Sequence, residues 1–119
     1  MLREGIEIYM NVYDTANRLA SEIRQSEEYA NYKMAKQALN LNAALKEKMA
    51  EFEKTRYEVQ LEMMQTGKND EEKYKKMQDL YAELVDDEEG KRFFEAETKF
   101  NVMIADVNKI IGEAVRDVI

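Results

Sequence analysis

The chain has 119 residues, with 18 Lys and Arg against 25 Asp and Glu, a formal net charge of -7 and a pI near 4.8. The absence of Cys and His removes the disulfide framework, the thiol nucleophile, the zinc finger, the histidine base and the iron–sulfur cluster together. With no Pro and four Gly the chain is almost unpunctuated, which suits long helices in a single soluble domain over residues 1–119 and excludes a turn-rich sandwich or barrel.

The opening MLREGIEIYM places Arg3, Glu4 and Glu7 where a secretory signal needs an uninterrupted apolar run, so the expected location is cytoplasmic. Ile8, Val12, Ala16, Leu19 and Ile23, with Tyr9, Tyr13 and Ala20 beside them, recur at helical spacing and predict a first amphipathic helix from about Ile6 to Gln25. Ser26 offers the next N-cap, with Glu27 and Glu28 in the first turn where carboxylates meet the positive end of the helix dipole. Tyr29, Tyr32, Ala35 and Leu39 give the second helix its face. The NLN stretch at 40–42 then breaks the pattern, and Asn42 caps a third helix carrying Leu45, Met49, Phe52, Val59 and Met63 inward. Arg56 is the one charged residue in that register.

Gly67 ends the third helix as a left-handed cap, and Asn69 or Asp70 starts the fourth, with Asn69 and Glu72 at capping-box spacing. Tyr74, Met77, Tyr81 and Leu84 mark its buried stripe. Asp87 is the expected cap of a fifth helix from about Glu88 to Val118, although Gly90 could instead end the fourth. Such a helix spans roughly 45 Å, longer than the roughly 35 Å diameter of a compact domain of this size. From Phe93 through Phe100, Ile104, Val107 and Ile111 to Val118, its apolar residues fill an arc of roughly 140° when placed at 100° intervals, wider than one neighbour covers. The pattern predicts an all-α architecture of about five helices in antiparallel hairpins, with a long C-terminal helix and a homodimer that buries the surplus.

Glu97, Asn101 and Asn108 run along one flank of that arc beside Phe100, Ile104 and Ile111. These six are the candidate interface residues, read either as a network that sets recognition or register between helices, or as ordinary flank residues satisfied by neighbours and water. Met63, Met64 and Tyr57 likewise read as a partner-facing cluster or as core, with core packing the favoured reading. Lys33, Lys36, Arg18 and Arg24 read as solvated. The pairs Glu27/Glu28, Glu71/Glu72, Asp86/Asp87 and Glu88/Glu89 sit at helix starts, where capping explains them. A dimetal bundle also needs Glu-x-x-His motifs, and no calcium loop or phosphate cradle is present, so no catalytic, metal or cofactor site is expected. Residues 1–60 carry nine basic and ten acidic side chains and residues 61–119 carry nine and fifteen, so neither tight nucleic-acid binding nor, for want of a run of roughly 20 apolar residues, a membrane span is expected.

Val12-Tyr13-Asp14, Ala16, Leu19-Ala20, Ile23, Ser26, Glu28-Tyr29, Tyr32-Lys33, Ala35 and Leu39, followed by Glu95-Ala96-Glu97, Phe100-Asn101, Val107-Asn108 and Ile110-Ile111-Gly112, resemble the YlbF/YmcA family of small bacterial regulators. The resemblance covers nearly the whole chain. It implies an all-helical, dimer-forming, non-catalytic regulator that acts through protein partners, of the YaaT type in some members, in competence, sporulation, biofilm formation and ribonuclease Y-dependent mRNA processing. A structural or chaperone-like helical dimer is the alternative. The complex-forming members carry cysteines implicated in holding iron–sulfur clusters; this sequence has none, so the resemblance does not carry the cluster over.

Overall fold

Side-chain caps set where each helix begins in the computed structural model, which describes residues 11–119. Asn11 accepts from the Asp14 amide and starts α1 (Val12–Arg24); Ser26 accepts from Tyr29 and starts α2 (Glu27–Asn40); Asn42 accepts from Leu45 and starts α3 (Ala43–Thr66). Asp70 accepts from Glu72 and Lys73 to open α4 (Glu71–Val85), and Asp87 accepts from Glu89 to open α5 (Glu88–Val115). Each cap satisfies amides that lack an intrahelical partner.

Two boundaries differ from expectation. Asn11 is extended and terminates α1 on its N-terminal side, so no helix runs through it; the part expected from Ile6, with Ile8 and Tyr9, lies outside the described residues. The last helix ends at Val115 rather than Val118. Asp70, not Asn69, caps α4, and the Asn69/Glu72 capping box does not form. Gly67 does end α3 in the left-handed conformation, at φ 73°.

α2 pairs antiparallel with the first half of α5, and α3 with α4 as a hairpin. The two pairs meet where Leu39, Leu45, Met49, Phe52, Leu80, Leu84, Phe93 and Phe94 form the core. Phe93 and Phe94 lie about 100° apart on α5 and so face different neighbours: Phe93 turns to Tyr32 on α2, Phe94 to Phe52 and Tyr81 on the hairpin. Periodicity along one stripe finds Phe93 and misses Phe94, and for the same reason it misses Leu80, because α4 also lies between two partners.

Gly90 is buried inside α5, not at the end of α4. A Cβ built there would overlap the Leu84 carbonyl, so glycine is what lets the two helices turn back on each other.

The molecule measures 62 × 37 × 15 Å with a radius of gyration of 19.6 Å, against about 13.5 Å for a compact chain of this length. The expected compact domain of roughly 35 Å is therefore corrected: the chain is a flat, elongated slab, longer than the roughly 42 Å of α5. In so thin a molecule the apolar face predicted for α1 is covered only in part, with Leu19 and Ile23 half-buried near the start of α2. α1 has no buried residue, and Val12 and Tyr13 are 80% and 78% exposed.

Gly90→Ala should destabilise the fold by about 1–3 kcal/mol through that overlap, whereas Gly112→Ala, in open space in the same helix, should be neutral or stabilise by about 0.5–1 kcal/mol. Paired denaturant melts separate the two.

Candidate protein-interaction site

Glu97 is placed on α5 just past the two core phenylalanines, on the side that turns toward both helix pairs. Its carboxylate accepts a hydrogen bond from the Tyr32 hydroxyl of α2 at 3.4 Å and lies 3.6 Å from the Arg56 guanidinium of α3. Its side chain is only 12% exposed. Arg56 also lies over the Phe52 ring, 5.2 Å from its centroid, and Tyr32 is wedged between Phe93 and Phe100. One carboxylate thus joins three helices. Burial, then the Glu97 charge and the hydrogen bond to it, hold the Tyr32 phenol above its ordinary pKa of 10.0, which keeps the hydroxyl a donor.

Of the other five candidate residues, only Phe100 touches that network, through the Tyr32 ring. Phe100 is half-buried against Tyr29 and Tyr32, at ring separations of 6.3 and 5.3 Å. Ile104 is half-buried. Asn101, Asn108 and Ile111 are exposed on the same side of α5. Sequence reasoning did not select Arg56 and Tyr32 as partners of Glu97; the available signal was the lone charge at Arg56 in an apolar register, since a guanidinium there calls for an anion.

Two exposed apolar surfaces flank this junction. At one end, α5 runs on past the start of α2, and Ile110 and Ile111 are 68% and 51% exposed, with Val118 beyond the helix end 85% exposed. At the other, the α3/α4 hairpin has two unlike faces. One is laced by Lys76–Glu51 and Lys48–Glu83 ion pairs. The other holds a groove of about 550 Å³ floored by Phe52, Val59 and Met77 and walled by Tyr74, Tyr81, Gln60, Gln78 and Arg56. Met64 and Tyr57 lie within about 60° of Gln60 around α3 and are 83% and 64% exposed, so the expectation that they, with the 42%-exposed Met63, pack in the core is corrected. The hairpin's outer half has no third helix to bury them.

A second groove, of about 570 Å³, runs between α2 and α5 over Ala35, Ala38 and Ala96. Among the described residues no cluster of three or more Asp or Glu side chains is placed to hold a metal ion, and no helix is long and apolar enough to cross a membrane. What the arrangement offers is contact surface.

Comparison with known proteins bears on what touches it. Residues 12–116 match the family model described as Control of competence regulator ComK, YlbF/YmcA. A UPF0342 protein of Symbiobacterium thermophilum is 32% identical over 104 residues, 87% of this chain and 93% of the relative. One of Desulfitobacterium hafniense is 31% identical over 110 residues, 92% and 89% respectively. Among solved structures, a DUF964 protein of unknown function from Bacillus stearothermophilus superposes with a TM-score of 0.77 at 18% identity, covering 89% of this chain and 93% of that one. Bacillus subtilis RicA, solved in complex with RicF, gives 0.59 at 24% identity, covering 89% and 94%. At these identities the structural likeness is one of fold.

Glu97→Ala should destabilise by about 1–3 kcal/mol by stranding Arg56 and Tyr32, while Asn101→Ala and Asn108→Ala, on exposed positions, should each stay within about 0.5 kcal/mol in the subunit. A phenol whose folded pKa is raised stabilises the fold fully below pH 10 and loses that contribution as pH climbs through the folded value. Stability measured from pH 9 upward should accordingly fall less in Tyr32→Phe than in the native chain.

Proposed function

Because the chain belongs to the YlbF/YmcA family of competence-control regulators, we propose that it is a non-catalytic cytoplasmic adaptor acting through protein–protein contacts, as a homodimer, with one or two defined partners. The observation that carries this reading is the asymmetry of the α3/α4 hairpin. In a sequence that is 36% charged, its grooved face presents Tyr74, Tyr81, Gln60, Gln78, Val59 and Met77 around the single guanidinium of Arg56. Aromatic residues, methionine and arginine, with lysine and acids depleted, are the composition of a protein interface core. Arg56 is not free to act as a catalytic electrophile, since it is engaged with Glu97.

RicA, which shares the fold and was captured with RicF, supports action through a protein complex. The processes this reading points to are those implied by the resemblance: competence, sporulation, biofilm formation and ribonuclease Y-dependent mRNA processing. A chain without cysteine has no thiolate for an iron–sulfur cluster, so a contact of the YaaT type would have to rest on helix surface alone.

Affinity capture from the native cell tests the reading when the bait is compared with Met64→Glu and Tyr57→Glu variants. Both positions are exposed, so the variants should melt within about 0.5 kcal/mol of the parent. The expected result is one or two stoichiometric partners, lost from both variants by at least tenfold. A heterogeneous client set retained by the variants would favour the structural or chaperone-like alternative.

A further inference from the structure

The grooved face of the α3/α4 hairpin does not stop at Tyr81. That residue also walls a smaller depression of about 340 Å³, which continues over Val85 and Phe94 toward Lys91 and Glu95 in the first turns of α5. From Tyr74 to Val85 the face runs about 16 Å along α4, the length of roughly three helical turns. Tyr74 and Tyr81 are 39% and 45% exposed, so each ring has one side against the hairpin and another open to an occupant.

Charge along this face is sparse. The hairpin part of the lining holds one ionised side chain, Arg56, and in the depression beyond it the Lys91 and Glu95 charges offset each other. Arg56 has one ion pair among the described residues, from Nη1 to Glu97 at 3.6 Å, which is longer than an N–H···O hydrogen bond. Its side chain is 35% exposed, and the guanidinium lines the groove with a planar fork of donors that Glu97 does not fill. Such a fork matches the two oxygens of a carboxylate, and the apolar floor beside it strengthens a charge-assisted bond made there.

Resting on the reading of this hairpin face as the partner surface, we propose that its occupant is an amphipathic helix of a partner protein, about three turns long, that lays apolar side chains between Tyr74 and Val85 and seats one Asp or Glu on Arg56. The acid follows from the lone guanidinium; the helix follows from the walls. The described residues form helices throughout and hold no sheet edge, so an extended segment would find only the Gln60 and Gln78 amides for its backbone N–H and C=O groups. A helix satisfies its own backbone and needs from the groove only packing and one anchor.

The probe is a displayed library of helices of that length, randomised along one face and selected on the full chain, with the selected sequences remeasured as labelled peptides by fluorescence anisotropy. They should carry apolar residues at i, i+4 and i+7 with an Asp or Glu among them. Gln60 is exposed one turn from Arg56 on α3, so Gln60→Glu should keep the parent's helical circular dichroism while offering the guanidinium a carboxylate within the chain. That variant should weaken the peptides at least tenfold, as should replacing the peptide's acid by its amide, whereas Gln60→Lys should not weaken them. Selected helices without an acid, peptides as tight on Gln60→Glu as on the parent, or no helix above background would each overturn the proposal. Cellular partners lost from Met64→Glu and Tyr57→Glu but kept by Gln60→Glu would preserve the adaptor and remove its acidic helix. A native dimer that Gln60→Glu dissociates in light scattering would give the groove to a second copy, and would overturn the proposal too.

Discussion

The adjacent phenylalanines at the start of α5 hold the two halves of this molecule together. Phe93 is 2% exposed and faces α2; Phe94 is 7% exposed and meets Phe52 and Tyr81 of the hairpin. Burying two such rings contributes about 1.5–3 kcal/mol each, and their edge contacts fix how the pairs are oriented. The close approach depends on Gly90, one turn earlier, where the absence of a side chain lets α5 start against the Leu84 carbonyl. Glu97, one turn later, adds a polar tie from α5 to Tyr32 and Arg56. Packing, backbone clearance and a buried carboxylate therefore lie within two turns of one helix.

A junction so short leaves long arms. The hairpin extends from it in one direction and the far half of α5 in another, which is why the slab is 62 Å long and 15 Å thick. Thin arms cannot cover both sides of an amphipathic helix. The apolar residues left outside are arranged, however, with ion pairs on one face of the hairpin and Tyr, Met and Gln on the other, and with Asp106, Lys109 and Glu113 on the side of α5 opposite Ile104 and Ile111. A lone exposed leucine needs no explanation, whereas apolar surface sorted this way on two elements is how a chain prepares for company.

Local chemistry made much of this legible from sequence. Ser26, Asn42 and Asp87 cap helices because a short polar side chain beside a run of amides has one favourable use, and Gly67 ends a helix because few other residues adopt positive φ. Period 3.6 located Leu39, Leu45, Met49, Phe52, Leu84 and Phe93 in the core. These are properties of single helices, so sequence alone determined the five helices of the described residues with most of their inward faces.

Which faces found a neighbour was decided by the tertiary structure. α1, with as regular an apolar stripe as any, buries no residue fully; Met63 and Met64 stay out; Leu80 and Phe94 go in because their helices are gripped from two sides. Of the polar row on α5, Glu97 is engaged within the subunit and Asn101 and Asn108 face outward, although all three share one side of the helix. Periodicity records that a side chain shares a stripe with others, and nothing in one helix records how far its neighbours extend beside it. That length of overlap, set here by the phenylalanine junction and the early start of α2 against α5, divides this protein into core and contact surface.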